Sequence, residues 1–196
     1  MADERLRHWL AALVATPGLT AIRDLEEAQR VHVDESLAAL EVVRGFEGPI
    51  VDVGSGGGAP GVPLAAALPE REVTLLEASG RKCVFLREIA REFPNVQVVH
   101  GRAEEQATDR FGVAVAKALA SPPVAAEWSL PLVARGGAVI LYVGPTADAE
   151  AVSSVSKRLG GGAAELAPGL LVLRKLEPTP RGFPRRPGVA KKRPLA

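Results

Sequence analysis

Five glycines fall within eight residues directly after a short apolar run, and this stretch constrains the fold more than any other part of the chain. The glycines lie within 54–61, and the run before them, 50–53, is β-branched apart from Asp52. Because glycine lacks a Cβ, such a backbone adopts left-handed angles and approaches a ligand closely. The pattern predicts a strand, a tight turn and a helix start whose free N–H groups attract anionic groups. It is typical of sites for nucleotide-like cofactors and indicates an enzyme.

Apolar runs alternate with helical patterns on both sides of this loop. The predicted strands are 50–53, 72–77, 96–100, 113–116 and 138–143, and the helices after them are 61–68, 81–93, 124–132 and 147–159. Helices at 4–15 and 20–44 precede this series, and the runs 164–167 and 170–176 form a hairpin around Pro168-Gly169. This order predicts an α/β fold. We expect a Rossmann-like, mostly parallel sheet with an antiparallel edge hairpin, preceded by short N-terminal helices.

The length of 196 residues fits one domain, which we predict at 1–178 with an N-terminal helical part at 1–45. Residues 179–196 are rich in Pro, Arg and Lys and are predicted to form a basic tail. The single cysteine, Cys83, excludes an internal disulfide, and its place on an apolar helix face predicts core packing. No run approaches the ~20 apolar residues of a membrane span, and the charged N-terminus is unlike a signal peptide. We therefore expect a cytoplasmic protein.

The net charge of +1 conceals an uneven distribution. Eight of the 24 Lys and Arg residues, but only one of the 23 acidic residues, lie from Arg174 onward. An acidic body with a basic end predicts a polyanionic partner such as nucleic acid, which the tail would contact. The alternative is a solvated tail that only aids solubility.

The glycine loop itself allows two cofactor classes. As a dinucleotide loop it has Gly54 and Gly56, with Ala59 in place of the third glycine. As a loop for S-adenosylmethionine (AdoMet) it has the order acid-x-Gly-x-Gly-x-Gly, with Asp52, Gly54, Gly56 and Gly58 in register. Asp52 would then lie near the positively charged amino-acid end of the cofactor, through water or a loop amide. A pyrophosphate disfavours that acid, so the order favours AdoMet.

Acids follow the next two predicted strands. Glu77 ends the second strand, where a carboxylate can accept hydrogen bonds from both ribose hydroxyls of either cofactor. The third strand is followed by Ala103 and Glu104, a small residue and an acid that suit an adenine ring and its exocyclic amine. The alternative for Glu77 is a helix-capping or solvated side chain.

The predicted substrate side contains Lys117, which follows the fourth strand at the carboxyl edge of the sheet. It would contact a substrate phosphate or orient a base; the alternative is a simply exposed lysine. Methylation of a base carbon usually needs a Cys nucleophile, and Cys83 is predicted to be buried. The residues after the fourth strand, Ser121-Pro122-Pro123-Val124, lack the acid and aromatic of exocyclic-amine methylases. Guanine N7, whose lone pair needs no base, fits better. His32 and His100 have no metal-ligand spacing, so no metal is predicted.

The sequence resembles the bacterial 16S ribosomal RNA guanine-N7 methyltransferase family, also called glucose-inhibited division protein B. The motifs that carry the resemblance are 19–24 (LTAIRD), 31–37 (VHVDESL), 52–65 (DVGSGGGAPGVPLA), 75–77 (LLE), 81–87 (RKCVFLR), 101–105 (GRAEE) and 184–195 (PRRPGVAKKRPL). They occur in one order over most of the chain, which makes the resemblance specific.

The resemblance implies a class I AdoMet-dependent methyltransferase. Its implied cofactor residues are Asp52, Gly54, Ser55, Gly56, Gly58, Pro60, Gly61, Glu77, Ala103, Glu104 and Lys117, with Lys117 also catalytic. The family usually has Arg where this chain has Lys117, which keeps the charge but loses the bidentate geometry. Further departures are Leu13 for Trp, Gly18 for Asn, Val31 for Arg and Val143 for Lys.

We therefore predict methylation of a guanine N7 in 16S ribosomal RNA, as naked RNA or within the 30S subunit. The predicted RNA-binding residues are Arg185, Arg186, Lys191, Lys192 and Arg193. The alternatives are an AdoMet-dependent methyltransferase of another RNA or a small molecule, and a non-catalytic RNA-binding assembly factor. An NAD-dependent reductase is the weakest alternative, because no proton donor accompanies the loop.

Overall fold

The computed structural model describes residues 3–196, which form one seven-stranded sheet. Its strands are β1 (Ile50–Val53), β2 (Val73–Glu77), β3 (Val96–His100), β4 (Phe111–Lys117), β5 (Val133–Tyr142), β6 (Gly161–Ala167) and β7 (Leu170–Lys175). They are arranged in the order β3-β2-β1-β4-β5-β7-β6. Strands β1 to β5 are parallel, whereas β7 is antiparallel to β5 and β6 is antiparallel to β7. The predicted α/β fold with an antiparallel edge hairpin is confirmed.

Helices surround this sheet. They are α1 (Glu4–Ala15), α2 (Leu25–Ala28), α3 (Glu35–Leu37), α4 (Leu40–Arg44), α5 (Gly61–Ala67), α6 (Gly80–Ala90), α7 (Pro122–Ser129), α8 (Ala149–Arg158) and α9 (Val189–Lys192). A π-helical turn, Gln29–Asp34, joins α2 to α3, and 3-10 turns lie at Ala103–Glu105 and Leu130–Leu132. Of these helices in residues 3–196, none has the length and apolar character needed to cross a membrane.

Strand β1 determines where a ligand can bind. All four of its residues are buried, as expected for a central parallel strand covered by helices on both faces. It pairs with β2 on one side and β4 on the other, and the strand order reverses between β1 and β4. In open α/β sheets, ligands bind at the carboxyl ends of the strands beside such a reversal. The glycine loop leaves β1 at this place.

The two faces of the sheet bury separate apolar clusters. On one face, α1 contributes Trp9, Leu10 and Leu13, which pack in a cluster with Ile50 of β1. On the other face, α7 and α8 pack against the sheet. Cys83 of α6 is fully buried, as predicted, and its thiol donates to the carbonyl of Glu77 at 3.3 Å. Burial raises the pKa of this thiol, so it is not a reactive thiolate.

The segment predicted as helix over 20–44 is less regular than expected. Its first residues are not helical, because Asp24 caps the start of α2 by accepting from the Glu27 N–H at 2.8 Å. Beyond it, the Val31 carbonyl accepts a hydrogen bond from Lys117, and the Ser36 carbonyl accepts one from the Tyr142 hydroxyl. Lys117 and Tyr142 are the last residues of β4 and β5, so both donors lie at the carboxyl ends of strands. Contacts distant in sequence therefore accompany the break into short helical pieces.

The C-terminal segment, defined as residues 179–196, packs back onto the sheet domain. Lys175 of β7 is buried and its ammonium donates to the Leu130 carbonyl at 2.9 Å and to the Thr179 hydroxyl at 2.8 Å. Farther along, Arg185 binds Glu127 of α7, and Ala190 of α9 is buried. The basic composition of this segment thus does not keep it away from the core. The division of the chain at residue 178 stays a prediction.

Candidate active site

The glycine loop makes two approaches that a side chain would prevent. Gly54 has φ +74°, and a Cβ on it would lie 2.3 Å from Cδ1 of Leu119, the residue that follows β4 by two positions. Gly61 begins α5, and a Cβ there would lie 2.3 Å from a methyl of Leu75 and 2.7 Å from Oδ2 of Asp52. The loop therefore packs directly on the carboxyl ends of β1 and β4.

Asp52 lies beneath this loop. Its side chain is 1% exposed, and its Oδ2 accepts a hydrogen bond from the Gly61 N–H at 3.0 Å. Its Oδ1 has no hydrogen-bond partner among the described residues. Burial raises the pKa of this carboxyl to about 7, and the bond from Gly61 opposes the rise only in part. Asp52 thus holds the start of α5 through a backbone amide, and its place near the amino-acid end of the cofactor stays a prediction.

Glu77 is held at the end of β2 by two backbone amides. Its Oε2 accepts from the Gly56 N–H at 2.8 Å, and its Oε1 accepts from the Ser79 N–H at 2.7 Å. The carboxylate therefore connects the glycine loop to the start of α6. Each oxygen has a second lone pair for a ligand hydroxyl.

Three cavities lie along the carboxyl edge of the sheet, and the first cavity, which opens beside Glu77, has a volume of about 260 Å³. Its lining combines carboxylates and cations with apolar and aromatic side chains. The lining includes Gly54, Leu76, Glu77, Ala103, Glu104, Leu119, Trp128, Lys82 and Lys191. The sequence predicted Gly54, Glu77, Ala103 and Glu104 for the cofactor, but it did not predict Trp128 or Lys82, and it assigned Lys191 to RNA binding. Lys82 lies in the motif 81–87, and this motif is the one feature of the sequence that could have indicated a place for Lys82 in the site.

The second cavity, of about 290 Å³, lies over the glycine loop and under the N-terminal helices. Leu13 of α1 and His32 of the π-helical turn line it together with Gly54 and Gly56. His32 Nε2 lies 3.0 Å from the Thr20 hydroxyl. Burial, and then the charge of Lys117, lower the pKa of this imidazole, which favours its neutral form.

The third cavity, of about 540 Å³, continues along the sheet edge toward β5 and the hairpin. Glu35, Tyr142 and the turn at Pro168 and Gly169 line it. Residues shared between linings join the three spaces: Gly54 and Ala118 line the first and second, and Lys117 and Ala118 line the second and third. The three cavities therefore share walls along the carboxyl edge of the sheet, and the row that they form is termed the groove.

Lys117 lies at the junction of the second and third cavities. Its ammonium donates to the Val31 carbonyl and lies 3.0 Å from Oε2 of Glu35, and its side chain is 16% exposed. The predicted catalytic lysine thus connects β4 to the N-terminal helices, and it faces both cavities. The contact partners Val31 and Glu35 belong to the motif 31–37.

The predicted RNA-binding residues fall into different environments. Arg185 forms a two-bond ion pair with Glu127, with both N···O distances 2.6 Å, and Glu127 is 3% exposed. The Lys191 ammonium lies 5.2 Å from the centre of the Trp128 ring, at the first cavity. Arg186, Lys191, Lys192 and Arg193 are all exposed, whereas Arg185 is partly buried. The structure therefore leaves four of the five residues at the surface and engages the Arg185 guanidinium with a buried acid.

The first two cavities fit AdoMet. A ribose diol needs acceptors such as the fixed Glu77 carboxylate, and an adenine ring needs an apolar slot such as the one between Leu76, Leu119 and Trp128. Gly54 lines both of these spaces, where its missing Cβ lets the backbone pack against the Leu119 side chain. Among residues 3–196, no cluster of three His, Cys, Asp or Glu side chains could hold a metal ion.

Solved structures share this architecture. The AdoMet-dependent methyltransferase SibL superposes with a TM-score of 0.60 at 16% identity, over 86% of this chain and 62% of that chain. The antibiotic-resistance methyltransferase Kmr superposes with a TM-score of 0.51 at 16% identity, over 71% of this chain and 92% of that chain. The chain therefore has the fold of the class I AdoMet-dependent methyltransferases. The predicted cofactor, AdoMet, is confirmed, and the dinucleotide alternative is set aside.

Sequence comparison gives the family. The model of rRNA small subunit methyltransferase G matches residues 4–160. The protein named ribosomal RNA small subunit methyltransferase G in Alkaliphilus metalliredigens is 36% identical, covering 90% of this chain and 82% of its own. The protein of that name in Synechococcus elongatus is 34% identical, covering 98% of this chain and 88% of its own. The chain belongs to the rRNA small subunit methyltransferase G family, as its motifs predicted.

Proposed function

We propose that this chain methylates N7 of a guanine in 16S ribosomal RNA, in the cytoplasm, on naked RNA or on the 30S subunit. The observation that carries the proposal is the row of three cavities, in which Lys117 lies between the two cofactor-sized cavities and a larger one. The names of the relatives support ribosomal RNA as the substrate class.

The side chains around the groove favour a nucleophile that needs no activation. The one cysteine, Cys83, is fully buried with a raised pKa, so it does not supply the thiolate that carbon methylation uses. Guanine N7 carries an in-plane lone pair at neutral pH. Methylation there requires positioning and exclusion of water rather than a general base.

For the cofactor, we propose the loop residues and acids predicted from the sequence. They are Asp52, Gly54, Ser55, Gly56, Gly58, Pro60 and Gly61, with Glu77, Ala103 and Glu104. Bound AdoMet supplies a methyl group on a positively charged sulfur. Glu77 accepts hydrogen bonds from the ribose hydroxyls, and Asp52 holds the Gly61 amide in place. Lys117 orients the substrate base at the junction of the second and third cavities. The exposed Arg186, Lys192 and Arg193 contact RNA phosphates.

Product mapping tests this function. Purified protein is incubated with methyl-labelled AdoMet and either 16S RNA or whole 30S particles, and the RNA is digested to nucleosides for mass spectrometry. We expect one labelled product, N7-methylguanosine. Label on another nucleoside, or on none in either substrate, would show that the proposed function is wrong.

A further inference from the structure

The third cavity has a hydrogen-bond donor beside an acceptor on one wall. The Lys117 ammonium and Glu35 Oε2 lie 3.0 Å apart, and both side chains line the cavity. Lys117 is fixed by its bond to the Val31 carbonyl, whereas Glu35 is 46% exposed. The other carboxylate oxygen, Oε1, lies 3.7 Å from the Arg30 guanidinium, beyond hydrogen-bond distance. The pair therefore retains an acceptor for a ligand.

This donor–acceptor order is complementary to one edge of guanine. The Watson–Crick edge of guanine presents an acceptor, O6, followed by two donors, N1–H and the N2 amine. O6 suits the Lys117 ammonium, and the two donors suit the Glu35 carboxylate. Adenine presents the opposite order, with an amine facing the ammonium and a lone pair facing the carboxylate. Lys117 and Glu35 thus favour guanine through complementary hydrogen bonds, and they disfavour adenine because like groups face each other.

The order of the residues along the groove also matches the order of atoms on the base. Glu35 lines only the third cavity, whereas Lys117 lines both the third and the second, which lies over the glycine loop. Around guanine, N2 and N1 come first, then O6, then N7. With O6 at Lys117 and N1 and N2 at Glu35, N7 lies on the side of the second cavity. The same contacts that select guanine therefore direct N7 toward the cofactor side.

The remaining walls of the third cavity include a fixed aromatic side chain and a hairpin turn. The Tyr142 hydroxyl donates to the Ser36 carbonyl at 2.5 Å, which holds this aromatic side chain at the cavity. The hairpin turn at Pro168 and Gly169 covers another side. Enzymes that modify a base commonly take it out of its stack into such a pocket and recognise it by its Watson–Crick edge.

We propose that Glu35 is the base-selecting residue of this enzyme, and that with Lys117 it binds the Watson–Crick edge of the target guanine in the third cavity. This inference rests on the proposed function, guanine-N7 methylation. Glu35 binds the base directly, and its ion pair with Lys117 keeps both groups in register.

Inosine provides the test, because it keeps N7 and O6 but lacks the N2 amine. Two 16S-derived RNAs are prepared with guanine or inosine at the methylated position, and kcat/KM is measured for each. We expect the wild-type protein to prefer the guanine RNA about tenfold, the effect of one hydrogen bond to a charged acceptor. For Glu35→Ala we expect that ratio to fall to about one. Glu35→Gln retains the size of the side chain and a neutral acceptor, so we expect an intermediate ratio.

Controls separate base selection from structural effects. Glu41→Ala is the matched variant, because Glu41 is another exposed carboxylate of the N-terminal helices, paired with Arg44 and outside the groove. It should keep the tenfold ratio. AdoMet affinity of each variant, measured by calorimetry, should stay within about twofold of wild type and reports on folding of the site.

The outcomes distinguish this inference from the proposed function. If Glu35 only holds Lys117, both rates fall together and the ratio stays near ten, which overturns the inference while N7 methylation stands. A wild-type protein that treats both RNAs alike overturns it too. If the wild-type protein forms no N7-methylguanosine at all, the proposed function fails and the inference fails with it.

Discussion

At the scale of single residues, Asp52 shows how the fold maintains a titratable group under a cofactor loop. Burial raises the pKa of this carboxyl from its usual 3.8 to about 7. The folded protein therefore binds the proton more tightly than the unfolded chain does. The resulting stability is fully present below pH about 4 and is lost as the pH rises through about 7.

The variant Asp52→Asn removes this titration while keeping an oxygen that accepts from the Gly61 N–H. We expect the free energy of unfolding of wild type to fall relative to this variant between pH 4 and 8, by on the order of 1–4 kcal/mol. Urea unfolding of the cofactor-free proteins at a series of pH values measures the difference. A difference that is constant with pH would contradict the raised pKa.

Gly54 tests the close packing of the loop. Gly54→Ala introduces a Cβ 2.3 Å from Leu119 and also strains a backbone at φ +74°. Gly136→Ala is the matched control, because Gly136 has φ +89° and open space around it. Strain alone costs about 1–2 kcal/mol in each variant, and the clash adds about 1–3 kcal/mol at Gly54 only.

Calorimetry with AdoMet separates the two glycine variants further. We expect at least a tenfold weaker affinity for Gly54→Ala, since Gly54 lines both cofactor cavities, and unchanged affinity for Gly136→Ala. Equal affinities in the two variants would mean that the loop does not contact the cofactor.

At the scale of secondary-structure elements, the C-terminal segment makes contacts with the sheet domain that its basic composition does not predict. Arg185 neutralises Glu127, a buried carboxylate on α7, and the Gly188 N–H donates to Glu104 at 3.2 Å, beside the first cavity. Helix α9 then brings Lys191 to Trp128. The segment thus forms part of the wall of the cofactor site.

Arg185 and its neighbour Arg186 should therefore behave differently. Arg185→Ala leaves the Glu127 charge buried without its partner, and we expect it to lower the free energy of unfolding by about 2–4 kcal/mol. Arg186→Ala changes an exposed residue, so its effect should stay within about 0.5 kcal/mol, while RNA affinity at low salt falls several-fold. Denaturation and filter binding measure both quantities. Equal stability losses would show that the ion pair does not anchor the segment.

Local patterns predicted the elements of the sheet well, for a physical reason. The β-branched run at β1 and the helical spacing of Trp9, Leu10 and Leu13 each record which face is buried, and that information is local in sequence. The irregular path of residues 20–44 was not predictable in this way. It is tied to Lys117 and Tyr142, which lie 86 and 106 residues from their hydrogen-bond partners in this segment.

The candidate site likewise contains residues that local sequence predicts and residues that only distant contacts bring together. Gly54, Glu77 and Ala103 were predictable, since each follows a strand at the edge where ligands bind. Trp128, Lys191 and the Arg185–Glu127 pair were not, because only the folding back of the C-terminal segment brings them to the first cavity. A charged tail in a sequence gives no sign of a buried acid 58 residues upstream.

At the scale of the whole molecule, the three cavities lie in a row along the carboxyl edge of the sheet. The N-terminal helices cover the second cavity through Leu13 and His32, and Lys117 of β4 lines it from the sheet. The C-terminal segment contributes Lys191 to the first cavity. Under the proposed function, cofactor and base approach each other from opposite ends of this row, and guanine N7 accepts the methyl group.

Replacing N7 of guanine in the RNA tests whether this atom receives the methyl group. Two 16S transcripts are made, one with guanine and one with 7-deazaguanine, which has a C–H in place of N7 and keeps the Watson–Crick edge. With labelled AdoMet and purified protein, we predict methyl incorporation into the first transcript and none into the second. Equal incorporation into both transcripts would contradict methylation at N7.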